Sequence, residues 1–217
     1  MSTQDCGKDH PNLTHSRRLK APPQAKLFVA IMSGSPAYAE KIERHLERRW
    51  GAIDHRSEIY CFSEYTSHYE REMGQPIWKY FVTFRRPRPV PDLVQLKLFT
   101  EELEQMFLTR PIATGVAGNE VLSRTVNLDP GYLTAWHLVL ATVKNYAHRV
   151  HLQDGIYSEL TLLFRRSKTE PLPWTYPDYR AEATLRFFSG VRSDYLSGVA
   201  EQIPGPEGEQ APGPKAI

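Results

Sequence analysis

The sequence predicts an α+β fold with a ferredoxin-like split βαβ sandwich core, in which an antiparallel sheet packs against two helices. Segments with strand character and segments with helical periodicity follow one another in the order βαββαβ. Right-handed crossovers make this arrangement physically accessible. A further helix, a β-hairpin and a C-terminal helix are predicted to extend this core.

The composition is that of an ordinary globular protein. Of the 217 residues, 41% are hydrophobic and 24% are charged, and the formal net charge is +2. A nearly neutral chain has no global signature of nucleic-acid binding, which would need a local basic patch. No apolar run approaches the roughly 18–20 residues of a membrane span, and the first residues lack the apolar core of a secretory signal. These features predict a cytoplasmic protein with no membrane partner.

One α+β domain is predicted over residues 25–202. Residues 1–24 are polar with almost no apolar periodicity and are predicted to be a disordered arm. Residues 203–217 are rich in Pro, Gly, Glu and Gln and are predicted to be a disordered tail.

The first strand and helix are predicted from a change in hydrophobic periodicity. Residues 26–32 are continuously apolar, as in a buried central strand. Ser35 is a candidate N-cap, with Pro36 at the first helical position, and Gly51 ends the helix. The buried stripe of this helix recurs at four-residue spacing and consists of Tyr38, Ile42, Leu46 and Trp50.

The rest of the core follows in the same way. Strands are predicted over 55–62, with Ile59 facing inward, over 77–84 and over 122–128, because these segments are rich in β-branched and aromatic residues. Residues 64–73 indicate a short helix or a structured connection. A second long helix is predicted over 92–108 from its apolar stripe.

The extension begins with residues 133–144, which suit either a helix or a strand. A helix is predicted, because Thr134 could cap it. A hairpin of strands 147–153 and 156–164 follows, because Asp154-Gly155 is a type I′ turn signal. A last helix is predicted over 181–200.

Residues 126–179 contain the densest group of turn-forming, aromatic and titratable residues in the chain. Asp129-Pro130-Gly131 is predicted to be a type II turn, since Pro suits its second position and Gly its third. In the functional interpretation, Asn127 and Asp129 point from a strand end into a cleft.

The predicted hairpin register gives a candidate acid–base pair. With Gln153 opposite Ile156, Val150 would pair with Glu159 and His148 with Thr161. One face then carries His148, Tyr157, Glu159 and Thr161. His148 and Glu159 would be diagonal neighbours, suited to acid–base catalysis with Asp129 in support, although the same contact could be structural.

A metal site is an alternative interpretation of four side chains, which are Asp129, His148, Asp154 and Glu159. These side chains suit a divalent ion, but no compact spacing supports them. No metal site and no cofactor are therefore assigned.

A basic and aromatic group supplies candidate ligand-binding residues. Lys144, Tyr146 and Arg149 could hold a phosphate or stack on a base. Trp174 and Tyr176 lie in a proline-rich segment, which is either a rigid aromatic cover or a ligand platform. The complete candidate set is Asn127, Lys144, Tyr146, Arg149, Tyr157, Trp174 and Tyr176.

Six segments together resemble a prokaryotic family of domains of unknown function numbered 4416. They are KLFVAIMSG (26–34), the residues from 58 to 74, KLFTEELE (97–104), VNLDPGYLT (126–134), ATVKNYAHRVHLQDGIYSEL (141–160) and EPLPWTYPDYR (170–180). The resemblance covers about residues 25–195. It implies a compact intracellular protein of prokaryotic origin without an established activity. Asn145 stands where the family pattern has Asp, which weakens any catalytic role at this position.

Three functions remain open from the sequence. The first is binding of a small anionic ligand or nucleic acid, either a nucleotide, RNA or another phosphate-bearing molecule, through a polar aromatic site. The second is a hydrolase or transferase that uses His148 and Glu159, with or without a metal ion. The third is a structural interaction module, which would lack a concave polar pocket. The oligomeric state does not follow from the sequence.

Overall fold

A ten-stranded sheet with helices on both faces dominates the structure. The computed structural model describes residues 24–109, 123–165 and 168–202. The predicted arm and tail lie outside these ranges, apart from Gln24, which begins the first strand. The mixed α+β class predicted from the sequence is confirmed.

The strands, in chain order, are β1 (Gln24–Ser33), β2 (Ile53–Arg56), β3 (Tyr60–Cys61), β4 (Trp78–Phe84), β5 (Arg88–Pro89), β6 (Leu108–Thr109), β7 (Ser123–Arg124), β8 (Val126–Leu133), β9 (His137–Thr142), β10 (Arg149–Gln153), β11 (Ile156–Arg165) and β12 (Lys168–Pro171). The helices are α1 (Ala39–Trp50), α2 (Glu70–Met73), α3 (Asp92–Met106), α4 (Pro177–Arg180) and α5 (Glu182–Gln202). Single 3₁₀ turns cover Pro36–Tyr38 and Phe62–Glu64.

The main path of the sheet has the strand order β10-β11-β9-β8-β1-β4-β2. The short strands β12, β3 and β5 pair with β11, β4 and β1, and β6 and β7 form a separate pair. All pairings among the described strands are antiparallel. The central strand β1 is therefore buried on both faces, which explains its continuous apolar sequence.

Helices α1 and α3 cover one face of the sheet. Their buried residues pack with Leu27, Val29 and Ile31 of β1 in a single cluster. The other face is covered by α5, whose Phe188 ring centroid lies 5.0 Å from the ring centroids of both Phe28 and Phe81. Alternate residues of β1 thus serve two different cores.

The predicted strand over 55–62 is interrupted in the structure. It divides into β2 and β3, and Ile59, predicted to face inward, is 59% exposed between them. Ser57 holds the interruption against β4 with two hydrogen bonds. Its N–H donates to the Phe81 carbonyl at 2.9 Å, and its hydroxyl oxygen accepts from the Phe81 N–H at 2.9 Å.

The helix predicted over 133–144 is wrong, because these residues contain strand β9. Residues 138–141 are apolar and buried, and β9 pairs with β8 on one side and β11 on the other. A short, continuously apolar run suits a central strand as well as a helix, and here the sheet pairing decides. The hydroxyl of Thr134, the predicted cap, accepts the Trp136 N–H at 3.2 Å in a turn before β9.

The turn predicted at Asp129-Pro130-Gly131 is also wrong, because all three residues lie inside β8. Pro130 pairs with Val29, and Gly131 pairs with Phe28 of β1 and Leu140 of β9. A Cβ at Gly131 would overlap the Phe28 ring and the Val139 carbonyl oxygen. Gly131 therefore serves close strand and side-chain packing, not a turn.

The hairpin is present, but its predicted register is wrong beyond the turn. Asp154 and Gly155 have φ of 51° and 75°, as a type I′ turn requires. A bulge between His151 and Gln153 then shifts the pairing, so that Glu159 lies opposite Arg149 rather than Val150. The extra residue in β10 could not be read from the turn sequence.

Candidate functional site

A cavity of about 530 Å³ opens where β8 and β9 separate. The two strands pair only where Gly131–Leu133 of β8 meets Leu138–Leu140 of β9. Residues beyond this paired stretch, such as Asp129 of β8 and Thr142 of β9, line the cavity. Pro130 has no N–H to continue the ladder at this point. The volume lies in the range of small-molecule sites, which is about 300–1,000 Å³.

The cavity wall combines four parts of the fold. Polar residues of α3 and β8 form one part, and residues of β9, β10 and β11 form another. The aromatic connection between β3 and β4 and the residues 176–179 complete it. Because these parts are distant in sequence, the cavity exists only in the folded chain.

Tyrosines line the cavity together with Asp129. Burial raises the pKa values of Tyr69, Tyr176 and Tyr179, and the negative charge of Asp129 contributes further to each of these rises. All three phenols are therefore neutral at physiological pH and able to donate hydrogen bonds.

A hydrogen-bonded chain holds Asp129 in position. Burial raises the pKa of Glu104 to about 7, and one of its carboxylate oxygens accepts the Leu128 N–H at 2.6 Å. Arg124 lies 3.2 Å from the other oxygen and donates to the Asn127 side chain at 2.9 Å. The Asn127 amide then donates to Asp129 at 3.0 Å. The chain thus connects α3 to the cavity.

A buried ion pair closes the cavity beside α4. The Lys79 ammonium lies 2.6 Å from the Asp178 carboxylate, and their side chains are only 3% and 2% exposed. The Tyr60 hydroxyl donates to the same Asp178 oxygen at 3.0 Å. The rings of Phe62 and Tyr179 lie 4.7 and 4.9 Å from the ammonium. This pair fixes residues 176–179 against β4.

Glu159 places a buried carboxylate at the cavity wall. The residue is 1% exposed. Its Oε2 accepts from Arg149 Nε at 2.8 Å and lies 3.2 Å from His148 Nε2. Its Oε1 is buried and has no hydrogen-bond partner among the described residues, and the same holds for the Tyr179 hydroxyl.

The structure brings six of the predicted site residues to the cavity wall. They are Asn127, Asp129, Lys144, Arg149, Glu159 and Tyr176. The Arg149 guanidinium links two others, since it also donates to the Tyr176 hydroxyl at 2.9 Å.

Four predicted site residues do not line this cavity. His148 stacks on Trp174 with ring centroids 5.0 Å apart, and Tyr146 meets the edge of His148 at 5.4 Å. These three residues form an aromatic layer behind Glu159. Tyr157 packs beside His151 on the hairpin, with ring centroids 5.2 Å apart.

The candidate acid–base pair is in contact, but it shares its carboxylate oxygen with Arg149. Oε2 of Glu159 is therefore already held by a guanidinium and by His148 Nε2. Asp129, which was predicted to support the pair, is hydrogen-bonded to Asn127. Among the described residues, no group of three or more His, Cys, Asp or Glu side chains is arranged to hold a metal ion.

Several cavity residues were missed in the sequence. Lys79 stands within the apolar run of β4, and a lysine in a buried strand could have indicated a site. Tyr65 and Tyr69 lie in an aromatic-rich connection that showed no clear periodicity. Asp178 lies in the dense segment 126–179 but was given no role, and Tyr179 was interpreted only as part of the proline-rich aromatic cover or ligand platform. The residues on α3, Lys97 and Glu101, carry no sequence signal that distinguishes them from an exposed helical ion pair.

Comparison with known families identifies the chain. A family model described as "Domain of unknown function (DUF4416)" matches residues 23–195. The chain belongs to this family. The resemblance found in the sequence is thus confirmed, and the DUF4416 match includes every residue that lines the cavity. No curated protein and no solved structure matches the chain. In the described part of this DUF4416 protein, no helix has the length and hydrophobicity needed to cross a membrane.

Proposed function

We propose that the protein binds a small anionic ligand of about nucleotide size in the cavity between β8 and β9. The observation that carries the proposal is the convergence of charged and aromatic side chains on one concave space of about 530 Å³. Concave sites with a few convergent polar groups are typical of small-molecule binding. A purely structural interaction module would not need such a space.

The charge balance of the wall favours a small molecule over RNA. Five lysine and arginine side chains line the cavity, and four of them pair with carboxylates at 2.6–2.8 Å. A groove that follows an RNA backbone would instead present unpaired cations along an open surface.

Lys144 is the cation that we assign to the anionic group of the ligand. It lines the cavity and is exposed, and no hydrogen bond or ion pair joins its ammonium to another described residue. Its position is fixed through the backbone, because Arg149 donates to the Lys144 carbonyl oxygen at 3.0 Å. An ammonium without a protein partner can neutralise a phosphate without breaking an existing ion pair.

The test is calorimetric titration with four nucleoside monophosphates, inorganic phosphate and a short single-stranded RNA. We expect a nucleotide to bind and the Lys144→Ala variant to bind it about tenfold more weakly, because a charge-assisted hydrogen bond is lost. Lys41→Ala is the matched control, since Lys41 is exposed on α1 and does not line the cavity. Binding of RNA alone, or equal affinities for the wild type and Lys144→Ala, would contradict the proposal.

A hydrolase or transferase remains the second candidate because His148 Nε2 lies 3.2 Å from Glu159. Phosphate release from nucleoside triphosphates, measured for the wild type and for His148→Gln, tests this candidate. Turnover that His148→Gln abolishes would favour the enzyme, and no turnover in the wild type would leave ligand binding as the function.

Two further assignments accompany the proposal. We infer a ferredoxin-like split βαβ core, which is supported by the antiparallel strand order β8-β1-β4-β2 with α1 and α3 on one face.

We also propose a cytoplasmic location in a prokaryote, and the unpaired Cys61 agrees with a reducing compartment.

A further inference from the structure

We propose that Asp129 binds a sugar hydroxyl of the ligand, so that the cavity selects ribonucleotides over their deoxy forms. This inference rests on the proposed function, since it names the class of nucleotide that the same cavity takes. Lys144 pairs with the phosphate group, and Asp129 accepts a hydrogen bond from the sugar.

The charged side chains of the wall leave two positions for a ligand. Nine Asp, Glu, Lys and Arg side chains line the cavity, and seven of them form ion pairs with described residues. The other two are Lys144 and Asp129, which have opposite charges and no ion pair with the described part of the chain. The carboxylate of Asp129 repels a phosphate and attracts a hydrogen-bond donor. The phosphate and the donor must therefore belong to different parts of the ligand.

One carboxylate oxygen of Asp129 is bonded within the protein, and the other is open to a ligand. Oδ2 accepts the Asn127 amide N–H at 3.0 Å. Oδ1 has no hydrogen-bond partner among the described residues, and it is not one of the buried side-chain atoms that lack a partner. In contrast to Oε1 of Glu159, it therefore has surface that solvent can reach. A ligand can bind to Oδ1 without displacing a protein group.

The pairing of β8 fixes the face of the sheet on which Asp129 lies. Asp129 is opposite Ala30 of β1, and Ala30 is opposite Phe81 of β4. Directly paired residues share a face, so Asp129 projects on the same side as Phe81. The ring centroid of Tyr179, which lines the cavity, lies 5.2 Å from that of Phe81. The other face of this part of the sheet is covered by α1 and α3. The accessible oxygen of Asp129 therefore opens into the cavity.

A single open carboxylate oxygen suits a sugar hydroxyl. The edge of guanine presents two neighbouring N–H donors, which would need both oxygens of a carboxylate. A hydroxyl brings one donor, and every ribonucleotide has it. Carboxylates bind ribose hydroxyls in the same way in dinucleotide-binding folds. Sites that bond a hydroxyl reject the analogue that lacks it far more strongly than apolar pockets reject a change of size.

The test is calorimetric titration with adenosine, guanosine, cytidine and uridine 5′-monophosphates, each compared with its 2′-deoxy and 3′-deoxy forms. For the wild type, we expect removal of one of the two hydroxyls to weaken binding about tenfold, because a hydrogen bond to a charged group is lost. For Asp129→Ala, we expect the ribonucleotide and both deoxy forms to bind within about twofold of one another. Asp194→Ala is the matched control and should keep the wild-type preference, since its 65% exposed carboxylate lies outside the cavity wall.

The outcomes separate this inference from the proposed function. If the wild type binds each ribonucleotide and its deoxy forms within about twofold, or prefers a deoxy form, the role of Asp129 is wrong while ligand binding stands. A wild-type preference that Asp129→Ala retains in full would also overturn that role. If none of the four ribonucleotides binds, the proposed nucleotide function is wrong and this inference falls with it. The wild-type comparison decides even if Asp129→Ala does not fold.

Discussion

At the residue scale, Gly131 belongs to a turn signal that predicted the wrong structure but identified a position with unusual backbone packing. Asp-Pro-Gly is a strong turn signal, yet the three residues lie in a central strand. Pro130 ends the ladder toward β9, and Gly131 lets the Phe28 ring and the Val139 carbonyl approach the backbone closely. The sequence therefore identified unusual backbone requirements, but only the neighbouring strands show that these requirements come from packing.

Gly131→Ala should destabilise the protein by about 2–3 kcal/mol, because a methyl group would overlap the Phe28 ring and a backbone oxygen. Urea unfolding followed by circular dichroism measures the loss. Gly190→Ala is the control, since a Cβ there meets nothing within 4 Å and Ala favours the α5 helix by about 0.5–1 kcal/mol. Equal stability of the wild type and Gly131→Ala would contradict the close packing.

The residues of the cavity wall were predictable where they stood out against their segment. Asn127, Asp129, Lys144 and Arg149 were recognised because they lie among turn formers and aromatics. The inference for Glu159 reached the correct neighbour, His148, although the predicted register was shifted by one residue at the bulge. After a shift of one residue, long side chains such as Arg149 can still reach the same neighbours. The same shift moves each residue to the other face of the sheet, so predicted faces become wrong.

At the scale of elements, α3 and β8 are connected through Glu104, and this connection should depend on pH. The pKa of Glu104 in the folded protein is about 7, above its ordinary value of 4.5. The folded state therefore binds more protons between these pH values, so this contribution to stability is present below about pH 4.5 and is lost as pH rises through about 7.

Glu104→Gln should remove this pH dependence. Relative to the variant, the wild type should lose up to about 3 kcal/mol of unfolding free energy as the pH rises from 4.5 to 7. Urea titrations at several pH values measure the difference. The exposed Glu102→Gln on the same helix should leave the wild-type slope unchanged. A constant difference between the wild type and Glu104→Gln across this range would contradict the assignment.

Helices and strands were predicted best where the hydrophobic periodicity continued over many residues. The stripes of α1 and α3 predicted both helices within a few residues of their observed ends. Strand β9 was mistaken for a helix because four buried apolar residues in succession satisfy either structure. Only its two neighbours in the sheet distinguish the alternatives, and neighbours distant in sequence are not part of a local pattern.

At the scale of the whole molecule, the Lys79–Asp178 pair joins segments 99 residues apart. Asp178→Ala should cost about 3–5 kcal/mol, because it leaves the Lys79 ammonium buried without a counter-ion. Adding Lys79→Met should recover most of this loss. The comparison is Asp194→Ala, where the 65% exposed carboxylate pairs with His55 and should contribute less than about 1 kcal/mol. The urea midpoints of unfolding of the wild type, Asp178→Ala, the double variant and Asp194→Ala test these expectations. A double variant no more stable than Asp178→Ala would contradict a coupled pair.

The α+β class and the family of the whole chain were correctly predicted from the sequence. The position of the cavity was not, because it depends on where two adjacent strands stop pairing. The pairing stops beside Pro130, and the cavity at this boundary is also lined by residues of α3 and of the hairpin. No one of these segments indicates the separation by itself.

The short contact between β8 and β9 also has a mechanical consequence. A sheet bends as one body where its ladder is continuous, but here the ladder is only three residue pairs long. Beyond these three pairs the two strands separate, and the cavity lies at this separation. A ligand in contact with both Asp129 of β8 and Glu159 of β11 would connect the two parts of the sheet that this short ladder joins. Ligand binding should therefore make the sheet more rigid.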